Sequence, residues 1–103
     1  MKNTIISIAI LVMVLPLTAS AAGDAAAGET NATMCTTCHG PTGISGNPVW
    51  PNQAGQKEAY LVKATKDYRD GNRQDAMMAP MVQGLTDQDI EDLSAFFAAQ
   101  SAE

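Results

Sequence analysis

The sequence predicts an all-α domain, and three observations carry that prediction. Residues 25–34, residues 56–70 and the stretch that follows Thr86 each combine helix-forming composition or helical apolar spacing with a start or stop signal. The segments between them are rich in Gly and Pro and show no strand alternation. Thr86 and Asp89 stand at the spacing of a capping box, an unambiguous helix start.

Taken in order, the chain opens on what reads as an export signal. Lys2 is the only charge before Asp24, and it precedes an apolar run over residues 5–17. That run is too short to span a bilayer, where about 20 residues are needed. Ala19-Ser20-Ala21-Ala22 follows as a small-residue cleavage site, with the cut expected after Ala21. An uncleaved N-terminal anchor is the other reading of the same stretch. The expected organisation is a signal over 1–21 and one domain over 22–103, working outside the cytoplasm, with the bacterial periplasm as the leading compartment. No membrane insertion is expected once the signal is removed.

Asp24 can cap the first helix, which is rich in Ala and ends near a Cys pair. Gly28 weakens that helix, so it reads either as a close-packing position or as an ordinary tolerated Gly. Gly40, Pro41, Gly43, Gly46, Pro48, Pro51 and Gly55 make the next segment a loop. The second helix carries Tyr60, Leu61, Ala64 and Tyr68 at helical spacing and stops at Gly71. Residues 72–84 read as irregular and hold Met77, Met78 and Met81. In the last helix Ile90, Leu93, Phe96 and Phe97 form one apolar stripe, with Asp87, Glu91 and Asp92 off it. Leu85 and Ile90 occupy the positions of a hydrophobic staple.

Composition then limits the function. The whole chain carries a net charge of −5, with 6 Lys and Arg against 11 Asp and Glu. An acidic balance disfavours nucleic acid and anionic membrane surfaces as partners. From Ala22 onward only 10 of 82 residues are Leu, Ile, Val or Phe, below the roughly 20% expected of a self-sufficient core. Domains this small commonly need a staple, a metal or a cofactor. A bridge between two Cys three positions apart would close too small a loop to help much. Something large and apolar is missing from the polypeptide.

Cys35-Thr36-Thr37-Cys38-His39 names what is missing. It is C-x-x-C-H, the attachment sequence for c-type haem. Two thiols at that spacing can add to the two vinyl groups on one side of a porphyrin, and His39 then offers a ring nitrogen to the iron. The rival readings fare worse. A thioredoxin-like pair needs strands around the motif, and none are readable. A zinc site lacks its second pair of ligands, because the chain holds one His and two Cys. A structural disulfide between Cys35 and Cys38 is the remaining possibility.

Several stretches carry a family resemblance: Gly23-Asp24-Ala25, Cys35 to Gly40, Pro48 to Pro51 with Ala54-Gly55-Gln56, and Leu85 to Ile90. In these, and in their order along nearly all of the mature chain, the sequence resembles the small bacterial class I cytochromes c, and especially one half of the two-haem periplasmic members. The resemblance implies a class I cytochrome c fold of three to four helices around one covalently attached haem, with the N- and C-terminal helices crossing. Gly28 and the Phe96/Phe97 pair are then the expected crossing point. The resemblance further implies that the Pro48 carbonyl accepts from the His39 imidazole. Gln53 departs from the family, which usually has Leu before Ala-Gly-Gln, and puts a polar group at the edge of the pocket. A chain with one haem unit is not expected to be a two-haem carrier unless it dimerises.

With His39 used and no second His, the sixth iron position falls to Met, Lys, a terminus, water or nothing. A thioether is a soft ligand suited to haem iron, and Met/His ligation raises the potential. Met77, Met78 and Met81 are the candidates. Met78, seven residues before Leu85, matches the family's ligand position; Met81 is second and Met77 third. The expected function is a one-electron carrier between redox partner proteins, monomeric and not an enzyme, since no acid–base pair or nucleophile is left over. Docking is expected to be transient, with Asp67, Asp70 and Asp75 as acidic residues available to a basic partner rim. The alternatives are a haem c subunit of a periplasmic oxidoreductase, for instance one oxidising sulfur compounds, and a ligand-binding haem protein with an open iron.

Overall fold

The computed structural model describes residues 9–15 and 23–103. The export signal expected over 1–21, and its cut after Ala21, fall largely outside the described residues; residues 9–15 carry no regular secondary structure. Among the described residues there is no strand, and there are five helices, because the first expected helix is divided in two and one forms in the segment read as irregular: α1 (Ala25–Asn31), α2 (Thr33–His39), α3 (Glu58–Asp70), α4 (Met78–Val82) and α5 (Asp87–Ala98). No helix among them is long and apolar enough to cross a membrane.

Asp24 caps α1 as expected, its carboxylate accepting from the Ala26 and Ala27 amides at 2.9 and 3.3 Å. The first helix does not run unbroken. It is divided at Ala32, whose N–H turns back to the Glu29 carbonyl at 3.3 Å, and Ala32 is buried in the cluster formed by Leu61, Leu93, Phe96 and Phe97. Past this point α2 extends through the whole Cys-Thr-Thr-Cys-His motif, further than Ala content alone suggested. Gly40 ends it in a conformation with φ 86°, and a Cβ there would land on the Ile44 carbonyl oxygen.

The last helix follows its sequence signals closely. Thr86 accepts from the Asp89 amide at 3.1 Å while Asp89 accepts from the Thr86 amide at 2.9 Å, completing the capping box. Ile90, Leu93, Phe96 and Phe97 are all buried, each contributing roughly 1.5–3 kcal/mol. The Phe96 and Phe97 rings meet with centroids 5.0 Å apart at 58°.

α1 packs on α5 more extensively than any other pair of helices. Gly28 makes the approach possible: a Cβ on it would coincide with the Asp92 carbonyl and crowd the Phe96 Cβ at 2.9 Å. Of the two readings of Gly28, close packing is the one that holds, against Phe96 rather than Phe97. Asp92 itself differs from expectation. It lies off the apolar stripe in sequence, yet it is buried, because α1 arrives over it. Its Oδ1 accepts from the Asp24 amide at 2.8 Å and from Gln88 Nε2 at 2.8 Å.

α4 lies in the segment expected to be irregular. Asp75 supplies its start, with Oδ1 accepting from the Met77 and Met78 amides at 2.9 and 2.8 Å. Pro80 falls within the first turn, where a missing N–H costs nothing. The segment is anchored at both ends. The Arg73 amide donates to the Asp67 carbonyl at 3.0 Å, and Gln83 Nε2 donates to the Arg69 carbonyl at 3.0 Å. Arg69 in turn joins the end of α3 to the start of α5, through Asp87 at 2.8 Å and the Leu85 carbonyl at 3.1 Å.

The Asp92 carboxyl is held below the usual carboxylate range, chiefly by the Asp24 amide and then by Gln88. Because its pKa is depressed in the folded state, its stabilisation is fully present above about pH 4 and drains as pH falls through the folded-state value. Thermal unfolding followed against pH is expected to show the midpoint falling below about pH 4. Asp92→Asn should lower the midpoint at pH 7 and flatten the acid limb; identical acid limbs would remove Asp92 as the cause.

Candidate functional site

The α2 helix sets the two sulfurs. At i and i+3 Cys35 and Cys38 share one helix face, and both thiols are free and half-buried. Burial pushes the Cys35 thiol up, so it is presented as a neutral group facing apolar surroundings. His39, in the last turn of α2, is 7% exposed.

The Gly- and Pro-rich loop after α2 orients that histidine. Its Nδ1 lies 2.7 Å from the Pro51 carbonyl oxygen, an arrangement in which Nδ1–H donates and Nε2 keeps its lone pair for a metal. The carbonyl is that of Pro51 and not of Pro48. Pro48 is exposed, in a turn closed by the Trp50 amide on the Asn47 carbonyl at 3.1 Å, and the turn takes up Val49 and Trp50, the two residues between the prolines. The loop is braced from within. Gly43's carbonyl accepts from the Gln53 and Ala54 amides at 2.7 and 3.0 Å, and Ser45 Oγ donates to the Cys38 carbonyl at 3.2 Å. Gly55 donates to the Phe97 carbonyl at 3.0 Å, which docks the loop on α5. A Cβ on Gly43 would press on Ala54 N and on the Phe97 ring.

These elements enclose a cavity of about 460 Å³, within the range of cofactor sites. Cys35, Cys38 and His39 stand on its wall together with Met77, Met78 and Met81 from the start and body of α4. Leu61, Val82, Leu93 and Phe97 supply buried apolar lining. This apolar wall is where a large apolar group of the kind the composition called for would pack. Met78 is half-buried while Met77 and Met81 are exposed at 58% and 42%. Met34, next to Cys35, is also exposed and on the wall. Gln53 lines the cavity too, so a polar group does reach its edge.

Each chemical demand of a c-type haem meets a matching group here: two thiols on one helix face, an imidazole with Nε2 free, a thioether loop on the same cavity, and apolar walls. Among the described residues no cluster of three His, Cys, Asp or Glu could hold a bare metal ion. Residues to which the sequence assigned no place at the cofactor also belong to the wall. Trp50, Tyr60, Thr65, Tyr68, Arg73 and Asp75 all line it. Helical spacing placed Tyr60 and Tyr68 on one face of α3, but nothing in the sequence told haem wall from protein core.

Replacing both cysteines, Cys35→Ala with Cys38→Ala, is expected to leave a colourless chain with little helix by circular dichroism. A well-folded double variant would mean that the protein core suffices without the cofactor.

Comparison with known proteins agrees with this geometry. The family model described as Cytochrome c matches residues 25–101. Cytochrome c-554(548) of Halomonas halodenitrificans is 48% identical over 82 residues, covering 77% of this chain and 99% of that protein. The crystal structure of reduced recombinant cytochrome c4 from Pseudomonas stutzeri superposes with a TM-score of 0.75 at 39% identity, over 78% of this chain and 47% of that one. Thiosulfate dehydrogenase from Marichromatium purpuratum superposes with a TM-score of 0.72 at 29% identity, over 85% of this chain and 22% of that one. The chain thus spans nearly all of one relative and about half of a cytochrome c4. With the attachment motif, the imidazole and the apolar cavity converging on one covalently bound haem c, the chain belongs to the cytochrome c family.

Proposed function

We propose that this chain is a single-haem electron carrier that works in the periplasm and passes one electron at a time between redox proteins. The observation that carries the reading is the shared cavity: Cys35, Cys38 and His39 on one element, and the Met77, Met78 and Met81 thioethers on another. Cys35 and Cys38 hold the haem through thioether bonds. His39, oriented by the Pro51 carbonyl, binds the iron through Nε2. Met78 would be the second iron ligand, being the least exposed of the three methionines on this wall. The haem supplies the ferric/ferrous couple, and Leu61, Leu93 and Phe97 exclude water from around it. With one His, already engaged, the chain keeps no acid–base machinery, which supports a carrier over an enzyme. The export-signal pattern before Asp24 supports the compartment, and the domain is then 22–103 after cleavage behind Ala21.

Docking takes place at the cavity rim, where Met34, Val49 and Tyr60 are exposed apolar groups on the wall. The acidic residues expected to meet a partner are partly committed within the chain. Asp67 pairs with Lys63, Asp70 with Arg69, and Asp75 caps α4. Steering by these three is correspondingly weaker than their count suggests.

A second reading, as a haem subunit held to a sulfur-oxidising enzyme, is favoured by the likeness to thiosulfate dehydrogenase. Size exclusion of native periplasmic extract separates the two: a monomeric carrier elutes alone at its own mass, a subunit elutes with its enzyme.

Met78→Ala is expected to abolish the Met–iron charge-transfer band of the oxidised protein and to lower its reduction potential, both read on purified holoprotein. A retained band would transfer the ligand role to Met81 or, failing that, to Met77. CO uptake by the unmutated reduced protein at neutral pH would instead favour an open iron.

A further inference from the structure

Met77 and Met78 are adjacent in sequence and both stand on the cavity wall, yet one iron position takes a single thioether. What separates them is the phase of α4. Successive residues of a helix are turned by about 100°, so only one of the two can share the inward face. In the observed phase Met78 and Val82 stand at i and i+4 on one face, and Val82 is 3% exposed. That face therefore points into the protein, whereas Met77 is exposed at 58%.

Asp75 sets this phase. Its Oδ1 accepts from the Met77 and Met78 amides at 2.9 and 2.8 Å, and its own carbonyl accepts from the Ala79 amide at 3.1 Å. Three consecutive amides at the start of α4 are thus held by one residue. A helix of five residues is too short to fix its own start, because nucleation costs more than one turn returns. The far end is held differently. Gln83 Nε2 donates to the Ala79 and Arg69 carbonyls at 3.1 and 3.0 Å, which places α4 against α3 without touching the methionine amides. We propose that Asp75 selects the iron ligand: by accepting the Met77 and Met78 amides it starts α4 at Met78 and turns that thioether inward in place of Met77. The proposal rests on the reading of Met78 as the second ligand and gives Asp75 a positioning role exercised through Met78. What the cap requires is an oxygen acceptor at this position and not its negative charge, so asparagine serves nearly as well and alanine does not. Losing such a cap shifts the balance between alternative starts by roughly fivefold.

The test compares purified holoprotein of the unmutated chain, Asp75→Asn, Asp75→Ala and Met78→Ala, each first checked for haem by its pyridine haemochrome spectrum. Two readouts follow: the Met–iron charge-transfer band of the oxidised protein, and proton NMR of the reduced protein. In the latter the haem ring current carries the methyl signal of a ligated methionine far upfield. The unmutated chain and Asp75→Asn are expected to show the full band and one such signal. Asp75→Ala is expected to weaken the band and to add a second upfield methyl signal, which Met77→Leu in the same background removes. Should Asp75→Ala fail to retain haem, Asp75→Gln, whose oxygen lies one methylene further out, is read in its place with the same expectation. A full band and one unchanged signal in Asp75→Ala would overturn the proposal even if the unfolding midpoint fell, since the cap is then structural only. A second signal that survives Met77→Leu would overturn it too, as would Asp75→Asn behaving like Asp75→Ala. A band retained in Met78→Ala would instead overturn the ligand assignment on which the proposal stands.

Discussion

The burial of haem against a polypeptide too poor in large apolar side chains to fill its own interior is the interaction on which this structure depends. Nine hydrophobic residues are buried among those described, and three of these are alanines. Of the other six, Leu61, Val82, Leu93 and Phe97 line an opening of about 460 Å³. Covalent attachment suits such a chain because the opening is incomplete as an enclosure. Met34, Val49, Tyr60, Met77 and Met81 stand on its wall while remaining exposed. A tether on Cys35 and Cys38 keeps the cofactor where the walls by themselves would not.

The protein part of the core is correspondingly concentrated at one place. α1 and α5 meet over Gly28, where backbone approaches backbone, and the contact is reinforced by the Asp92 carboxylate accepting the Asp24 amide across the crossing at 2.8 Å. One acidic side chain thus closes the ring between the two ends of the domain. The same Asp24 caps α1 with its carboxylate, so a single residue both starts the first helix and fastens it to the last. The crossing sits beside Leu93, Phe96 and Phe97, and Leu93 and Phe97 are also cavity wall, which couples the fold's firmest contact to the cofactor.

The two loops that carry function are held by different means. The loop before α3 is glycine-rich and folded on its own backbone, with the Gly43 carbonyl accepting two amides, and it delivers one carbonyl to His39. The segment before α5 depends on side chains: Asp75, Gln83 and Arg69 tie α4 to α3 and α5. The first arrangement orients the imidazole through one backbone carbonyl. The second sets three methionine side chains, polarizable and unbranched, on the cavity wall from one short element.

Much of this was legible in the linear chain, because the informative features were local. C-x-x-C-H specifies its chemistry by spacing alone, the Thr86/Asp89 box acts within one turn, and the shortage of Leu, Ile, Val and Phe needs only counting. What the sequence could not determine depended on which distant segment arrives where. The break at Ala32 follows from burial under α3 and α5, and the burial of Asp92 from the arrival of α1. Pro51 replaces Pro48 as the partner of His39 because a turn consumes the residues between them, and α4 exists because Asp75 folds back on Met77 and Met78. Arg73 became a cavity residue only when Tyr68 and the Asp67 carbonyl fixed its direction. Residue chemistry and short-range spacing are properties of the chain, whereas the pairing of a polar group with a partner far along it is settled only by packing.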